Sequence, residues 1–178
     1  MTKTYIALLR GINVGKAKRI SMADLRQLVE GCGYANVRTL LNSGNVVFAS
    51  SRVAGNAASI IEKALIKDVG VSAKVTVLPA DELAEVVVDN PILDVATNPS
   101  RHLVAFFHNP ADRKKVQPLM KQDWGHEAIS LNHHVVYLWC PDGVLESQVA
   151  KAVNRALGDS VTMRNWATVQ KLRAMAQS

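Results

Sequence analysis

Residues 102–107, HLVAFF, form a short and almost wholly apolar run, and residues 4–10, TYIALLR, form a second run near the N-terminus. A strand that is apolar at successive rather than alternate positions is typical of a central strand covered on both faces of its sheet. The segments that follow each run alternate between helical and strand-like periodicity. The two runs therefore predict two halves, each built around a buried central strand.

The first half has the order strand, helix, strand, strand, helix, strand. Ser21, with Asp24 three residues later, is a variant of the capping box and predicts the start of the first helix. Asn, Ser and Gly at 42–44 are typical of a hairpin turn. After the strand at 4–10, the predicted elements are a helix that follows Ser21, strands at 37–41 and 45–49, a helix at about 56–69 and a strand at 73–78.

The same order repeats in the second half of the sequence. The predicted elements are a strand at 102–107, a helix capped by Asp112, strands at 127–131 and 134–139, a helix at 146–157 and a short strand at 160–163. A repeated β-α-β-β-α-β order is the signature of split β-α-β units. The sequence therefore predicts a mixed α/β (α+β) protein with two tandem ferredoxin-like (βαββαβ) subdomains.

Two further helices lie outside the repeat. Residues 80–91, ADELAEVVVDNP, predict a connecting helix with an apolar inner face, which Pro91 ends. A C-terminal helix is predicted at about 166–176, with Asn165 as its N-cap. The predicted organisation is an N-terminal ferredoxin-like subdomain at 1–79, a connecting helix and loop at 80–100, and a C-terminal ferredoxin-like subdomain plus terminal helix at 101–178.

Composition narrows the class of protein. The chain has 178 residues, of which 48% are hydrophobic, enough to fill a core. No apolar run approaches a membrane span, and the stretch at 5–9, closed by Arg10, is too short for a signal peptide. Cys32 and Cys140 are isolated thiols, which favours a reducing cytoplasm and a structural role. The histidines show no zinc-binding spacing, so no metal site is expected.

The net charge of +6 is concentrated at the two ends of the chain. Residues 1–20 hold five basic and no acidic side chains, and residues 151–178 hold five basic side chains against Asp159. If the fold brings the two ends together, they form a basic patch suited to phosphate or nucleic acid. The alternative is that the charge only keeps the protein in solution.

The first candidate site is the loop LRGINVGKAKRIS, residues 9–21, between the first strand and the first helix. Helix N-termini offer free N–H groups to anions at such positions. The loop is not a P-loop, because its two glycines enclose three residues rather than four and the lysine after them precedes Ala17. The predicted anion-binding residues are Arg10, Gly11, Asn13, Gly15 and Lys16. A solvated turn is the alternative interpretation.

Two other stretches complete the candidate site. Trp166 at the last strand-to-helix junction is either a core anchor or an exposed plate that stacks a base or sugar beside Arg164. Asn165 is a helix cap, and Lys171 lies off the apolar stripe of the helix. The NSGN stretch puts Ser43, Gly44 and Asn45 at a hairpin tip, where they either line a pocket or only form the turn.

Three groups of residues resemble a known family. LLRGINVG (8–15), NSGNVVFAS (42–50), and PDG (141–143) followed by RNWATVQKL (164–172) together resemble the bacterial domain of unknown function 1697 family, in the right order and over essentially the whole chain. The resemblance implies a pair of ferredoxin-like subdomains and no established activity. The family typically carries Ser-Lys after its Pro-Asp-Gly turn, where this chain has Ser147 and Gln148. If that lysine binds an anion in relatives, this chain is expected to bind one more weakly or differently.

No catalytic constellation is recognisable in the sequence. Asp24, Ser43, His102 and Ser147 carry suitable chemistry, but no local spacing pairs any of them with a base or nucleophile. Asp24 has a sufficient role in a cap, and His102, at a strand start, is expected at the surface. The chain has no G-x-G-x-x-G, so no nucleotide cofactor is expected.

The sequence leaves three functional hypotheses open. RNA-recognition modules of this fold expose aromatics on a sheet, but only Phe48, Tyr137 and Trp139 lie on candidate strands, so nucleic acid is expected to meet the basic loops through its phosphates. The first hypothesis is a non-catalytic cytoplasmic module that binds a phosphate-bearing ligand, either nucleic acid or nucleotide. The second is an enzyme acting on a small phosphorylated or acidic metabolite in the cleft between subdomains, and the third is a protein-interaction module.

Overall fold

A computed structural model describes residues 1–178 and shows a mixed α/β protein with two four-stranded antiparallel sheets and six helices. The strands are Lys3–Leu9 (β1), Ala35–Leu40 (β2), Asn45–Ser50 (β3), Val75–Pro79 (β4), His102–Phe107 (β5), Ala128–Leu131 (β6), Val135–Trp139 (β7) and Val161–Asn165 (β8). The helices are Met22–Gly31 (α1), Ala57–Ala64 (α2), Ala80–Val88 (α3), Arg113–Val116 (α4), Gln148–Leu157 (α5) and Trp166–Gln177 (α6). The predicted alternation of strands and helices is confirmed.

The chain divides into two compact units. The first comprises Met1–Asp81 together with Leu172–Ser178, and the second comprises Glu82–Lys171. Each unit contains one sheet, and each sheet follows the β-α-β-β-α-β order of its own segment. None of the helices combines the length and the apolar character that crossing a lipid bilayer requires.

The first unit is organised around β1, which pairs with β3 on one side and β4 on the other, in the order β2-β3-β1-β4. Its residues Tyr5 to Leu9 are all buried, as the continuous apolar run predicts. Tyr5, Ala7 and Leu9 share one face of the strand and pack with Leu25 of α1 and Ile61 of α2. Ser21 caps α1 as predicted, since its Oγ accepts a hydrogen bond from the Asp24 N–H at 3.0 Å.

The second unit repeats this arrangement around β5, in the order β6-β7-β5-β8. All six residues of β5 are buried, again as the apolar run predicts. Leu103 and Ala105 pack with Val149 and Val153 of α5, the helix that covers this face. The Ser147 Oγ caps α5 by accepting from the Ala150 N–H at 3.0 Å.

Two predicted helices differ from the structure. The helix predicted at 56–69 is α-helical only to Ala64 and ends as a π-helical turn, Leu65–Val69. Asp112 does not cap the next helix by a hydrogen bond but pairs with Lys115, its Oδ1 lying 2.7 Å from Nζ. That helix has only four residues because Pro118 lacks the N–H that an α-helical hydrogen bond needs, and the chain continues as a 3₁₀ turn.

His102 is fully buried, so the expectation that it lies at the surface is wrong. Its ring stacks on that of Trp166 with 5.0 Å between centroids, and its Nε2 lies 3.3 Å from the amide nitrogen of Asn90. The Nδ1 has no hydrogen-bond partner. No local pattern indicates this burial, because it arises where the Trp166 N–H bonds to the Pro99 carbonyl and brings α6 over the start of β5. Desolvation lowers the pKa of His102 to about 4.

The neutral state of His102 predicts a loss of stability in acid. In the unfolded chain its pKa returns to about 6.5, so the unfolded state binds the proton first as the pH falls. The contribution is complete above pH 6.5 and is lost towards pH 4, with a slope of at most about 1.4 kcal/mol per pH unit. We expect His102→Gln to remove this slope from urea-unfolding free energies measured across that range. The exposed His133→Gln is the control, and parallel profiles for wild type and His102→Gln would contradict the assignment.

Candidate functional site

The loop at 10–20 connects β1 to α1, and four of its residues have a positive φ. Gly11 and Gly15 have φ of 68° and 64°, values that favour glycine because a Cβ strains the left-handed conformation. Asn13 and Lys18 adopt the same region, at 55° and 52°. Residues 10–20, here named the basic loop, therefore have a defined conformation.

Asn13 holds the basic loop in this conformation. Its Nδ2 donates to the carbonyls of Ile20 at 2.9 Å and of Asn42 at 2.8 Å, and its Oδ1 accepts from the Ile20 N–H at 2.9 Å. The Asn13 N–H also donates to the Lys18 carbonyl at 2.9 Å. Both hydrogens of the side-chain amide are used within the protein. Asn13, a predicted ligand residue, is thus placed where it positions the loop and ties it to the hairpin between β2 and β3.

Gly44 lies directly beneath the basic loop. It is buried with φ of 84°, and a Cβ at this position would lie 2.7 Å from the Leu9 Cβ and 2.9 Å from the Ile12 Cδ1. Its carbonyl accepts from the Leu9 N–H at 2.8 Å. The hairpin and the loop can therefore approach this closely only because the residue has no side chain.

Asn45 is also buried, and its amide closes the hairpin. Its Nδ2 donates to the Leu40 carbonyl and to the Ser43 Oγ, each at 2.9 Å. Ser43 itself is exposed. Of the two interpretations of the NSGN stretch, the turn accounts for Gly44 and Asn45, and only Ser43 offers a side chain to solvent beside the loop.

The cations of the basic loop are directed outward. Lys16, Lys18 and Arg19 are exposed, and none of the three takes part in an ion pair, whereas Arg10 is half-buried. Beside Arg19 lies a groove of about 400 Å³ that also contains the Asp24 carboxylate, so its charge is mixed. The sequence singled out Lys16, but Lys18 and Arg19 are equally exposed, and their place in the same basic run, KAKR at 16–19, is the signal that could have added them.

The N-terminus of α1 is partly occupied by groups of the chain itself. Ser21 already accepts a hydrogen bond from the first turn, and Asp24 places a negative charge in that turn. A carboxylate there complements the positive end of the helix dipole. One of the N–H groups expected to be free at this junction is therefore already bonded within the chain.

The second junction, at the start of α6, is built for packing. The Asn165 Oδ1 accepts from the Thr168 N–H at 2.9 Å, which confirms Asn165 as a cap. Trp166 is 4% exposed, so it is the core anchor of the two alternatives and presents no open face for stacking.

The two basic residues of this junction differ in environment. The Arg164 Nη1 donates to the Met163 carbonyl at 2.9 Å, and burial lowers the pKa of Arg164 to about 10. Lys171 is exposed on α6.

Glu127 accepts three hydrogen bonds that the sequence analysis did not predict. Its carboxylate accepts from the Ser147 Oγ at 3.1 Å and from the N–H groups of Gln148 at 3.0 Å and Val149 at 2.8 Å. This internal carboxylate occupies the N-terminus of α5, the position at which the resemblance implied a difference in anion binding. Ser147 is 1% exposed and fully engaged, which removes it from the candidate nucleophiles.

No group of three or more His, Cys, Asp or Glu side chains in the structure has the arrangement of a metal site. Two further catalytic candidates, Ser43 and His102, are held in structural contacts. Ser43 accepts from Asn45, and His102 is sealed beneath Trp166. The first unit therefore brings together the basic loop and the NSGN hairpin, without assembling a nucleophile and base.

Comparisons with known proteins identify a family and a fold. A family model described as "Protein of unknown function (DUF1697)" matches residues 1–137. A solved structure, that of the conserved bacterial protein SP0830 from Streptococcus pneumoniae, is similar with a TM-score of 0.82 and 19% identity, over 99% of each chain. At that identity the likeness shows the fold alone. The chain matches no curated protein.

The close approach at Gly44 predicts a strong effect of a single methyl group. We expect Gly44→Ala to destabilise the protein by about 2–4 kcal/mol, since it adds a clash to the strain of a positive φ. Gly33→Ala is the matched control, because φ there is 92° and nothing lies within 4 Å of the added Cβ. Strain alone costs about 1–2 kcal/mol. Equal losses for the two variants in urea unfolding would show that the hairpin does not press on the loop.

The hydrogen bonds of Asn13 predict a second measurable loss. Asn13→Gly keeps the left-handed backbone but removes three side-chain hydrogen bonds, and we expect it to cost about 2–3 kcal/mol. Asn36→Gly is the control, since Asn36 has φ of 51° and is exposed. Amide exchange of Ile20 checks the mechanism, because its N–H loses its acceptor. Unchanged protection of that amide in Asn13→Gly would contradict the role given to Asn13.

Proposed function

We propose a function for this chain, which belongs to the family described as Protein of unknown function (DUF1697). It is a non-catalytic module whose first unit binds the phosphates of nucleic acid. Membership of that family supplies no activity, so the proposal rests on the basic loop. The observation that carries it is the exposure of Lys16, Lys18 and Arg19, unpaired, on a backbone that Asn13 holds in place.

Unpaired cations on a fixed loop favour a polyanion for two physical reasons. Each phosphate that a lysine or arginine neutralises releases condensed counterions, which drives association. The Asn13 hydrogen bonds have already fixed the loop backbone, so less conformational entropy is lost when phosphate binds. Both effects act without base-specific contacts.

The ligand is proposed as a chain of phosphates rather than one phosphate group. A single small phosphate is best held by convergent N–H groups, such as those of an open helix N-terminus. At α1 the Asp24 N–H is already bonded to the Ser21 Oγ, and Asp24 adds a negative charge to the first turn. The three cations at 16, 18 and 19 are distributed along an exposed turn, where successive phosphates of one strand can meet them.

The sheet aromatics support phosphate contact over base stacking. Phe48 and Tyr137 are fully buried, and the Tyr137 hydroxyl donates to the Val86 carbonyl at 2.7 Å. Trp139 is half-buried. Because base stacking needs exposed aromatic faces, the proposed module discriminates little between sequences.

Two finer expectations belong to the same proposal. Each unit is proposed to be a ferredoxin-like half, which the element order and the shared pattern of strand neighbours support. A cytoplasmic location is proposed because Cys32 and Cys140 are both free thiols.

The test is binding of labelled single-stranded RNA and duplex DNA, followed by fluorescence anisotropy over a series of salt concentrations. We expect the triple variant Lys16→Ala, Lys18→Ala and Arg19→Ala to reduce the slope of log affinity against log salt by about 2–3, because each neutralised phosphate contributes about 0.7–0.9 to that slope. The control variant Lys63→Ala, Lys67→Ala and Lys151→Ala removes the same charge from exposed positions elsewhere and should keep the slope.

Three outcomes would contradict the proposal. Absence of nucleic-acid binding at low salt would remove it outright. Equal losses in the loop and control variants would reduce the effect to net charge. Turnover or salt-insensitive binding of a single phosphorylated metabolite, without nucleic-acid binding, would favour the enzyme hypothesis instead.

A further inference from the structure

An open groove of the second unit lies between the segment at 113–121 and strand β6, and has a volume of about 890 Å³. Its cations are Arg113, Lys114 and Lys121, and no carboxylate lines it. Met120, Ile129 and Leu131 supply apolar surface. The groove therefore combines three positive charges with an apolar floor along the side of a strand.

That strand is an edge of its sheet, since β6 pairs only with β7. The Asn132 N–H donates to the Val135 carbonyl at 3.1 Å, which fixes the phase of the antiparallel ladder. Because alternate residues bond across such a ladder, the backbone groups of Leu131 and Ile129 point away from β7 and towards the groove side. These N–H and C=O groups are available to another strand.

We propose that an extended acidic peptide segment of a partner protein adds to β6 as a fifth strand, its carboxylates meeting Arg113, Lys114 and Lys121. Addition of a strand to a sheet edge uses main-chain hydrogen bonds for affinity and side-chain contacts for specificity. The Arg113 Nε donates to the Asn132 carbonyl at 3.0 Å, which places this guanidinium at one end of the edge.

The chemistry of the edge favours this occupant over a phosphate polymer. An exposed strand presents carbonyl acceptors as well as N–H donors, and a phosphate supplies no donor for the carbonyls. A peptide strand satisfies both. The apolar side chains of Met120, Ile129 and Leu131 also offer contacts that a sugar-phosphate backbone does not use.

The charges also disfavour a second copy of this chain. Pairing β6 with itself would bring two sets of the same three cations together, and like charges across a strand pair are destabilising. The cations lie on the segment beside β6 rather than on the strand itself, where they would still repel the cations of a second copy. Lys115 does not contribute, because its charge is paired with Asp112 at 2.7 Å. The same three cations, Arg113, Lys114 and Lys121, attract an acidic partner.

The experiment uses the full chain and a labelled synthetic peptide of alternating Glu and Val. We expect saturable binding, and slower amide exchange at Ile129 and Leu131 by about tenfold or more. The double variant Lys114→Glu with Lys121→Glu should weaken binding by about tenfold, whereas Lys63→Glu with Lys67→Glu in the first unit should leave it unchanged.

Four results would overturn the proposal. They are no binding, binding that leaves the exchange of the Ile129 and Leu131 amides unchanged, equal binding of an alternating Lys and Val peptide, and equal losses in the two double variants. None of these depends on the basic loop, so failure here leaves the nucleic-acid proposal standing. Conversely, the triple variant of the basic loop should bind the acidic peptide as the wild type does.

Discussion

The central position of β1 is the constraint on which the candidate site depends. A strand paired on both edges cannot shift without breaking two ladders, so its end is a fixed point in the first unit. The ladder extends beyond the strand, since the Leu9 N–H bonds to the Gly44 carbonyl and the Arg10 N–H to the Lys74 carbonyl, both at 2.8 Å. The basic loop therefore begins from a backbone held on both sides. The backbone that carries its cations is therefore ordered, although their side chains extend into solvent.

At two helix N-termini that follow loops rich in polar residues, side chains of the protein itself accept from the first turn, three N–H groups in α5 and one in α1. Ser21 and Asp24 serve α1, while Ser147 and Glu127 serve α5. The local field at each terminus is thereby already complemented by a carboxylate. Anion recognition then falls to lysine and arginine side chains, whose contacts are more exposed and more sensitive to salt than buried N–H groups. The proposal of a polyanion rather than a small phosphate rests on this difference.

The sequence predicted features whose causes are local and missed those whose causes are distant. The Ser21 cap depends on a residue three positions away, and the buried strands depend on their own apolar runs, so both could be predicted. Asn13 bonds to residues 7 and 29 positions away, and Glu127 reaches 20 positions to Ser147. His102 is buried by Trp166, which lies on a different element. No periodicity or spacing rule reports such contacts.

The two cationic surfaces differ in the backbone groups beside them, and the choice of a different ligand for each proposal rests on this difference. On the basic loop, the Asn13 side chain bonds the Ile20 backbone, and the exposed charged side chains are those of Lys16, Lys18 and Arg19. Along β6, the charges stand beside main-chain donors and acceptors that have no partner strand. A ligand of phosphates complements the first surface and would leave the carbonyls of the second unpaired. Positive charge alone is therefore a poor guide to partner, and the two proposals differ because the hydrogen-bonding state of the adjacent backbone differs.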